Sequence, residues 1–192
     1  MKKLAIFTSG HSRGSNFRAI CDQIQNQRLQ IEISYLFITD NTAPIVNLAM
    51  ERNIKIILYS PTSMRINDFL IKTCQDNYVD LIVLCGFMRK LSQSFFNNVK
   101  TPIINIHPAL LPKYGGKGMY GMNVHNAVFA NGDKKSGVTV HFVNENYDEG
   151  SIIRQKECDI SNCKSADEVA KCVLEVEHEI YPEVVINLAT KH

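Results

Sequence analysis

Asn105 and His107 stand two positions apart in NIHPALLPKYGG, at the end of the apolar run PIINI. In an extended strand, side chains at i and i+2 share a face, so the amide and the imidazole point one way while Ile104 and Ile106 point the other. Pro108 biases His107 toward extended backbone and keeps the pair aligned. A donor that does not titrate and a ring that can take or give a proton are thus aimed at one small volume. General acid–base chemistry needs such a pairing. The competing reading of the two residues is structural, a turn-capping asparagine and a hydrogen-bonded core histidine.

The elements that must position this pair follow from hydrophobic periodicity. LAIFT (4–8), ISYLFIT (33–39), IKIILY (54–59), LIVLC (81–85) and PIINI (102–106) are short apolar runs that predict strands. Between them, 16–27, 43–52 and 66–77 carry apolar residues at three- and four-residue intervals and predict covering helices. This alternation is the pattern of βαβ units on a mainly parallel sheet. In such open sheets ligands bind outside the carboxyl ends of the strands, which is where Asn105 and His107 emerge. A short helix is expected over 123–129. GVTVHFV and SIIRQKECDI then predict two strands joined through NENYDEG. Ser165 with Glu168 forms a capping box, and Val169, Val173, Val176, Ile180, Val184 and Leu188 mark one face of a long terminal helix. Pro182 is expected to bend or interrupt it.

Composition limits the classes open to the chain. Its 192 residues are 45% hydrophobic and 21% charged, as in an ordinary globular domain, and no linker, repeat or low-complexity tract divides them. The expectation is a single domain over 1–192. A net charge of +2 without a basic run argues against nucleic-acid or membrane-surface partners. The lysine pair of MKKLAIFTSG precedes too short an apolar stretch for a signal peptide, and no later segment approaches a membrane span, so a cytoplasmic location is expected. Six cysteines at 21, 74, 85, 158, 163 and 172 include no CxxC pair and read as reduced, buried or neutral thiols. No His, Cys or carboxylate cluster has metal-ligand spacing, and no metal is expected.

Other segments carry candidates with two readings each. Asp148 in NENYDEG is either an ordinary turn aspartate or a carboxylate brought to the imidazole. Thr139 and His141 share a face of the VTVHFV strand. SGHSRGSN is a strand-to-helix turn of small residues whose backbone N–H groups favour an anion, although it lacks the GxGxxG spacing of a dinucleotide site. Phe87, Met88 and Leu91 in GFMRKL read as core packing. Glu177 on the terminal helix reads as a solvated charge. In GGKGMYGM the glycines allow close backbone approach and positive φ, which suits a flexible cover with Lys117 and Tyr120 as contacts.

In register along nearly the whole chain, GSN (14–16), GFMR (86–89), NIHPALLPKY (105–114), VHFV (140–143), Asp148–Gly150 and EHEIYP (177–182) resemble the glycinamide ribonucleotide formyltransferases, within the wider class of 10-formyltetrahydrofolate-dependent enzymes. The resemblance implies a mainly parallel, Rossmann-like open sheet with helices on both faces, antiparallel strands in the C-terminal half and a long C-terminal helix. It implies formyl transfer from the folate N10 to the amine of glycinamide ribonucleotide, a step of purine biosynthesis, with both as small-molecule substrates. Asn105, His107 and Asp148 match the catalytic positions. Asn105 and His107, the latter as a charged donor if protonated, would stabilise the oxyanion, and Asp148 would raise the His107 pKa and assist proton transfer. Gly14, Ser15 and Asn16 match the phosphate cradle, and Glu177 a contact to the ribose or amide. Met88, Arg89, Leu91, Asn105, Val143, Glu145 and Asp148 match the folate side, with His141 and Thr139 in support. The turn at His11–Arg13 is two residues longer than usual, and the glycine loop 115–121 is longer as well.

The same three catalytic residues occur in relatives that formylate amino sugars or methionyl-tRNA, or that hydrolyse formyltetrahydrofolate. The hydrolase adds a regulatory domain and the tRNA enzyme a C-terminal one, whereas this chain is expected to hold the transferase domain alone. GSN and EHEIYP favour the ribonucleotide over amino sugars. A folate- or nucleotide-binding module without turnover is the reading from another class, and a monomer or a homodimer is open.

Overall fold

The computed structural model describes residues 1–9, 13–59, 66–76 and 78–190. A seven-stranded sheet in the order β3-β2-β1-β4-β5-β6-β7 forms its centre. The first five strands, β1 (Lys2–Phe7), β2 (Ile31–Ile38), β3 (Lys55–Leu58), β4 (Leu81–Leu84) and β5 (Ile103–His107), are parallel. β6 (Lys135–Phe142) and β7 (Ile152–Asp159) continue the sheet antiparallel. This is the mixed, Rossmann-like architecture expected, with boundaries displaced by one or two residues.

Each strand alternates its side chains between two cores. Leu4 and Ile6 of β1 enter one with Leu36, Val83 and Ile104; Ala5 and Phe7 enter the other with Phe37, Ile82 and Leu84. Parallel strands covered on both faces read as continuous apolar runs, which is why LAIFT and LIVLC lack polar alternation. The first core lies under α1 (Ser15–Asn26), α2 (Pro44–Glu51), α5 (Met122–Ala130) and α6 (Ala166–Thr190). The second lies against α3 (Ile66–Asp76) and α4 (Gln93–Asn98).

α4 has no counterpart among the sequence expectations. Its six residues are too few for a periodic pattern, and its mark is Ser92, whose Oγ accepts the Phe95 N–H at 3.1 Å. At the start of α6, Ser165 Oγ accepts the Glu168 N–H at 3.2 Å, while the Glu168 carboxylate accepts from Lys164 N at 2.7 Å. The expected interruption at Pro182 does not occur: α6 runs from Ala166 to Thr190 with Pro182 buried inside it. Proline removes one intrahelical bond, and the burial of Val173, Val176, Ile180, Val184 and Val185 against the first core holds the helix together across that gap. Tyr181, fully buried, ties α6 to the sheet by donating its hydroxyl to the Leu84 carbonyl at 2.7 Å.

Candidate active site

Strand order fixes where a site can form. The chain leaves β1 toward β2 on one side and reaches β4 on the other, so the switch point lies between β1 and β4, and their carboxyl ends open a crevice there. Ser9 and Gly86 close its floor: Ser9 N donates to Gly86 O at 3.2 Å, and Ser9 Oγ accepts from Met88 N at 2.8 Å. A cavity of about 550 Å³ rises from this edge, bordered by 86–91, Asn105 to Pro108, the glycine loop, His141, 143–148, Asn16 and Glu177. A groove of about 640 Å³ at the opposite, amino ends of β1 to β3 holds none of these side chains.

Asn105, His107 and Asp148 meet in the cavity. His107 Nδ1 lies 3.6 Å from Asp148 Oδ2, and His141 Nε2 lies 3.7 Å from Asp148 Oδ1. Asp148 sits at φ 57°, in the left-handed region that short polar residues tolerate, and its Oδ2 accepts the Gly116 N–H at 2.9 Å. The turn and the glycine loop therefore hold each other, with the carboxylate between them.

Carbonyl partners decide the tautomers, because a carbonyl only accepts. His107 Nε2 is 2.8 Å from Tyr114 O and must carry the proton there, so in the neutral ring the Nδ1 lone pair faces Asp148. His141 Nδ1 donates to Phe142 O at 2.8 Å, which leaves Nε2 of the neutral ring to accept from Asn105 Nδ2 at 3.3 Å. His141 thereby turns the Asn105 NH₂ group and leaves its second N–H for a ligand.

Asp148 raises the proton affinity of His107, as expected, but it is not the dominant influence. Burial holds its pKa below the ordinary histidine value and outweighs the opposing pull of Asp148 and of the Tyr114 carbonyl. The ring is 3% exposed, and removing an imidazolium from water costs more than one carboxylate at 3.6 Å returns. The free protein thus presents a neutral imidazole beside a carboxylate, two acceptors with room for a proton between them.

Thr139 is part of the frame. Its buried hydroxyl donates to Ala109 O at 2.7 Å and accepts from Leu111 N at 3.0 Å and from Gln155 Nε2 at 2.9 Å, fixing the chain just beyond His107. Farther along, Asp133 accepts from the Tyr114 hydroxyl at 2.8 Å and from Lys113 Nζ at 2.7 Å.

At the first turn, Gly14 has φ 76°, and a Cβ there would meet Ile45 Cγ1 at 2.8 Å, so glycine is required for both conformation and space. α1 starts without a side-chain cap, and Asn16 of its first turn borders the cavity. Of the longer turn, Gly10, His11 and Ser12 lie outside the described residues; Arg13 is exposed.

Glu177 is not the solvated charge its place on the terminal helix predicts. It borders the cavity, accepts from Asn16 Nδ2 at 2.6 Å, and burial pushes its carboxyl up to about 7, against the smaller lowering by Asn16. Asn16 Oδ1 is buried without a partner.

On the far wall Met88 and Arg89 are exposed, Leu91 is buried in the second core, Val143 is half-buried against that core, and Glu145 is exposed. Leu91 therefore satisfies the packing reading while also bordering the cavity. Lys117 and Tyr120 stand on the glycine-loop rim, and Lys90 Nζ lies 5.5 Å over the Tyr147 ring. His125, unremarked in the sequence, also borders the cavity; its signal was a histidine on the face of α5 that buries Val124 and Val128.

Among the described residues no group of three or more His, Cys, Asp or Glu side chains is placed to hold a metal, and no helix is long and apolar enough to cross a membrane. All six cysteines are free; burial raises the Cys21 and Cys74 thiols to about 12, and Cys163 and Cys172 bring their sulfurs to 3.7 Å.

Residues 2–185 match the formyl transferase family, and the chain belongs to it. Within that family it is 38% identical over 189 residues to a chloroplastic phosphoribosylglycinamide formyltransferase of Vigna unguiculata, covering 96% of this chain and 60% of that protein. A second plant relative, from Arabidopsis thaliana, is 35% identical, and the chain spans 64% of its length. The phosphoribosylglycinamide formyltransferase of Bacillus subtilis is 31% identical over 98% of this chain and 95% of its own. A crystal structure of phosphoribosylglycinamide formyltransferase from Bacillus halodurans superposes with a TM-score of 0.87 at 27% identity, over 99% of this chain and 96% of that one.

Proposed function

We propose that the protein transfers the formyl group of 10-formyltetrahydrofolate to the amine of glycinamide ribonucleotide, as phosphoribosylglycinamide formyltransferase. The observation that carries this reading is the meeting of the Asn105 amide, the neutral His107 ring and the Asp148 carboxylate at one cavity. The amine attacks the formyl carbon, a carbon–nitrogen bond forms, and the carbonyl oxygen becomes negative. Asn105, turned by His141, donates its remaining N–H to that oxygen. The proton lost by the amine passes to His107 Nδ1, where Asp148 stabilises the resulting imidazolium. The imidazolium supports the oxyanion and returns the proton to N10 as the carbon–N10 bond breaks. The products are the formylated ribonucleotide and tetrahydrofolate.

In this reading Gly14, Ser15 and Asn16 hold the phosphate and Glu177 the ribose or amide. The folate lies along Met88, Arg89, Leu91, Val143 and Glu145, within reach of Asn105 and Asp148. Lys117 and Tyr120 belong to a loop that shields the reacting carbon from water, a competitor of the amine. Residues 1–192 act as one domain in the cytoplasm, as a monomer or homodimer, with no metal and no nucleic-acid or membrane partner.

The test follows tetrahydrofolate release by absorbance with glycinamide ribonucleotide, amino sugars or water as acceptor. Release that depends on the ribonucleotide is expected. Equal release with water alone, or release only with an amino sugar, overturns the assignment; tight binding without release leaves only a binding module.

A further inference from the structure

His125 is buried, with 7% of its surface exposed, and no described residue hydrogen-bonds its ring. Nδ1 is sealed from solvent without a partner, yet the residue borders the same cavity as His107, Asn16 and Glu177. Its neighbours on the buried face of α5, Val124 and Val128, are apolar, and an apolar residue at 125 would avoid an unsatisfied polar atom. The sealed Nδ1 therefore costs the protein stability that an apolar side chain would not, so packing does not account for the histidine, and Nε2, which is not sealed, is left for a ligand. Burial, and secondarily His107, lower its proton affinity, so the ring is neutral. Orphaned buried N–H groups are rarer than under-satisfied acceptors; the sealed Nδ1 is then the bare nitrogen and Nε2 carries the proton.

Placement selects the ligand. α5 packs on α6, which carries Glu177, and Glu177 is bonded to Asn16 at the start of α1. Gly121, φ 52°, precedes the first residue of α5 and offers no side-chain cap, so the ring stands one turn beyond the glycine loop. We propose that His125 is a further substrate-binding residue, its Nε2–H donating to an acceptor oxygen of the ribonucleotide. The inference rests on the function proposed above and adds a ligand on α5 to those on α1 and α6.

The test compares wild type with His125→Leu, varying each substrate in turn. The expected result is a KM for glycinamide ribonucleotide raised roughly tenfold or more, a KM for 10-formyltetrahydrofolate unchanged within about twofold, partial rescue in His125→Gln, and a melting temperature for the ligand-free variant equal to or above wild type. Glycinamide riboside, which lacks the phosphate, locates the oxygen: a KM penalty that vanishes with it assigns the phosphate, and one that persists assigns the sugar or amide. Should His125→Leu not fold, His125→Phe carries the same comparison. Unchanged ribonucleotide KM with a lowered melting temperature makes the ring a packing group and overturns this inference alone. A selective rise in the folate KM overturns it as well. Failure of the wild type to formylate the ribonucleotide removes the underlying reading and this inference with it.

Discussion

Replacing Glu177 by glutamine tests the electrostatics of the cavity directly. The carboxyl, ordinarily 4.5, is pushed to about 7 by burial at the cavity wall. Between those two values the folded chain keeps a proton that the unfolded chain has lost. The folded state binds more protons in this window, so stability falls as pH rises from 4.5 to 7. At 1.36 kcal/mol per pH unit the ionised carboxylate costs about 3 kcal/mol above pH 7. Glutamine has nearly the same shape, can still accept from Asn16 Nδ2, and does not titrate. Glu177→Gln should therefore match wild type at pH 4.5 and exceed it by about 3 kcal/mol at pH 8, roughly 6–12 °C in melting temperature for a chain of this size. His107, His125 and His178, all depressed by burial, lose stability in the opposite direction, as pH falls below 6.5, but they are common to both proteins and cancel in the difference. Urea unfolding of the ligand-free proteins at the two pH values supplies the measurement. A stability gap that does not change with pH would refute the argument.

Asp148→Asn removes the charge 3.6 Å from His107 while keeping a residue type suited to the left-handed backbone at 148; kcat should fall by about 10²–10⁴-fold with little change in melting, checked by steady-state kinetics and calorimetry. Thr139→Val keeps the branched shape but removes the hydroxyl that serves Ala109, Leu111 and Gln155; urea unfolding should show a loss of about 2–4 kcal/mol, because a buried N–H and C=O are left unpaired.

Much of the frame was legible because its signals are local. Apolar runs alternating with three- and four-residue spacing announced β1 to β5 and the helices α1 to α3, and Asn105 with His107 was visible as a pair because strand geometry has a fixed period of two. α4 was not legible, since six residues carry too little periodicity. Neither were the backbone contacts that tune the site: Tyr114 O fixes the His107 proton and Gly116 N–H holds Asp148, and backbone groups leave no mark in residue type.

The sequence by itself determined which chemical groups exist and on which strand end or helix face they stand, because side-chain direction follows from local backbone geometry. Only the tertiary structure decided their charge. His107 was expected to be drawn toward protonation by Asp148, and Glu177, matched to a substrate contact, carried no local sign of a displaced charge; each shifts toward its neutral form. The reason is common to both. A pKa reflects how much water the fold leaves around a group, and at these positions that is set by segments distant in the chain, α1 with α6 around Glu177 and the glycine loop with the 143–148 turn around His107.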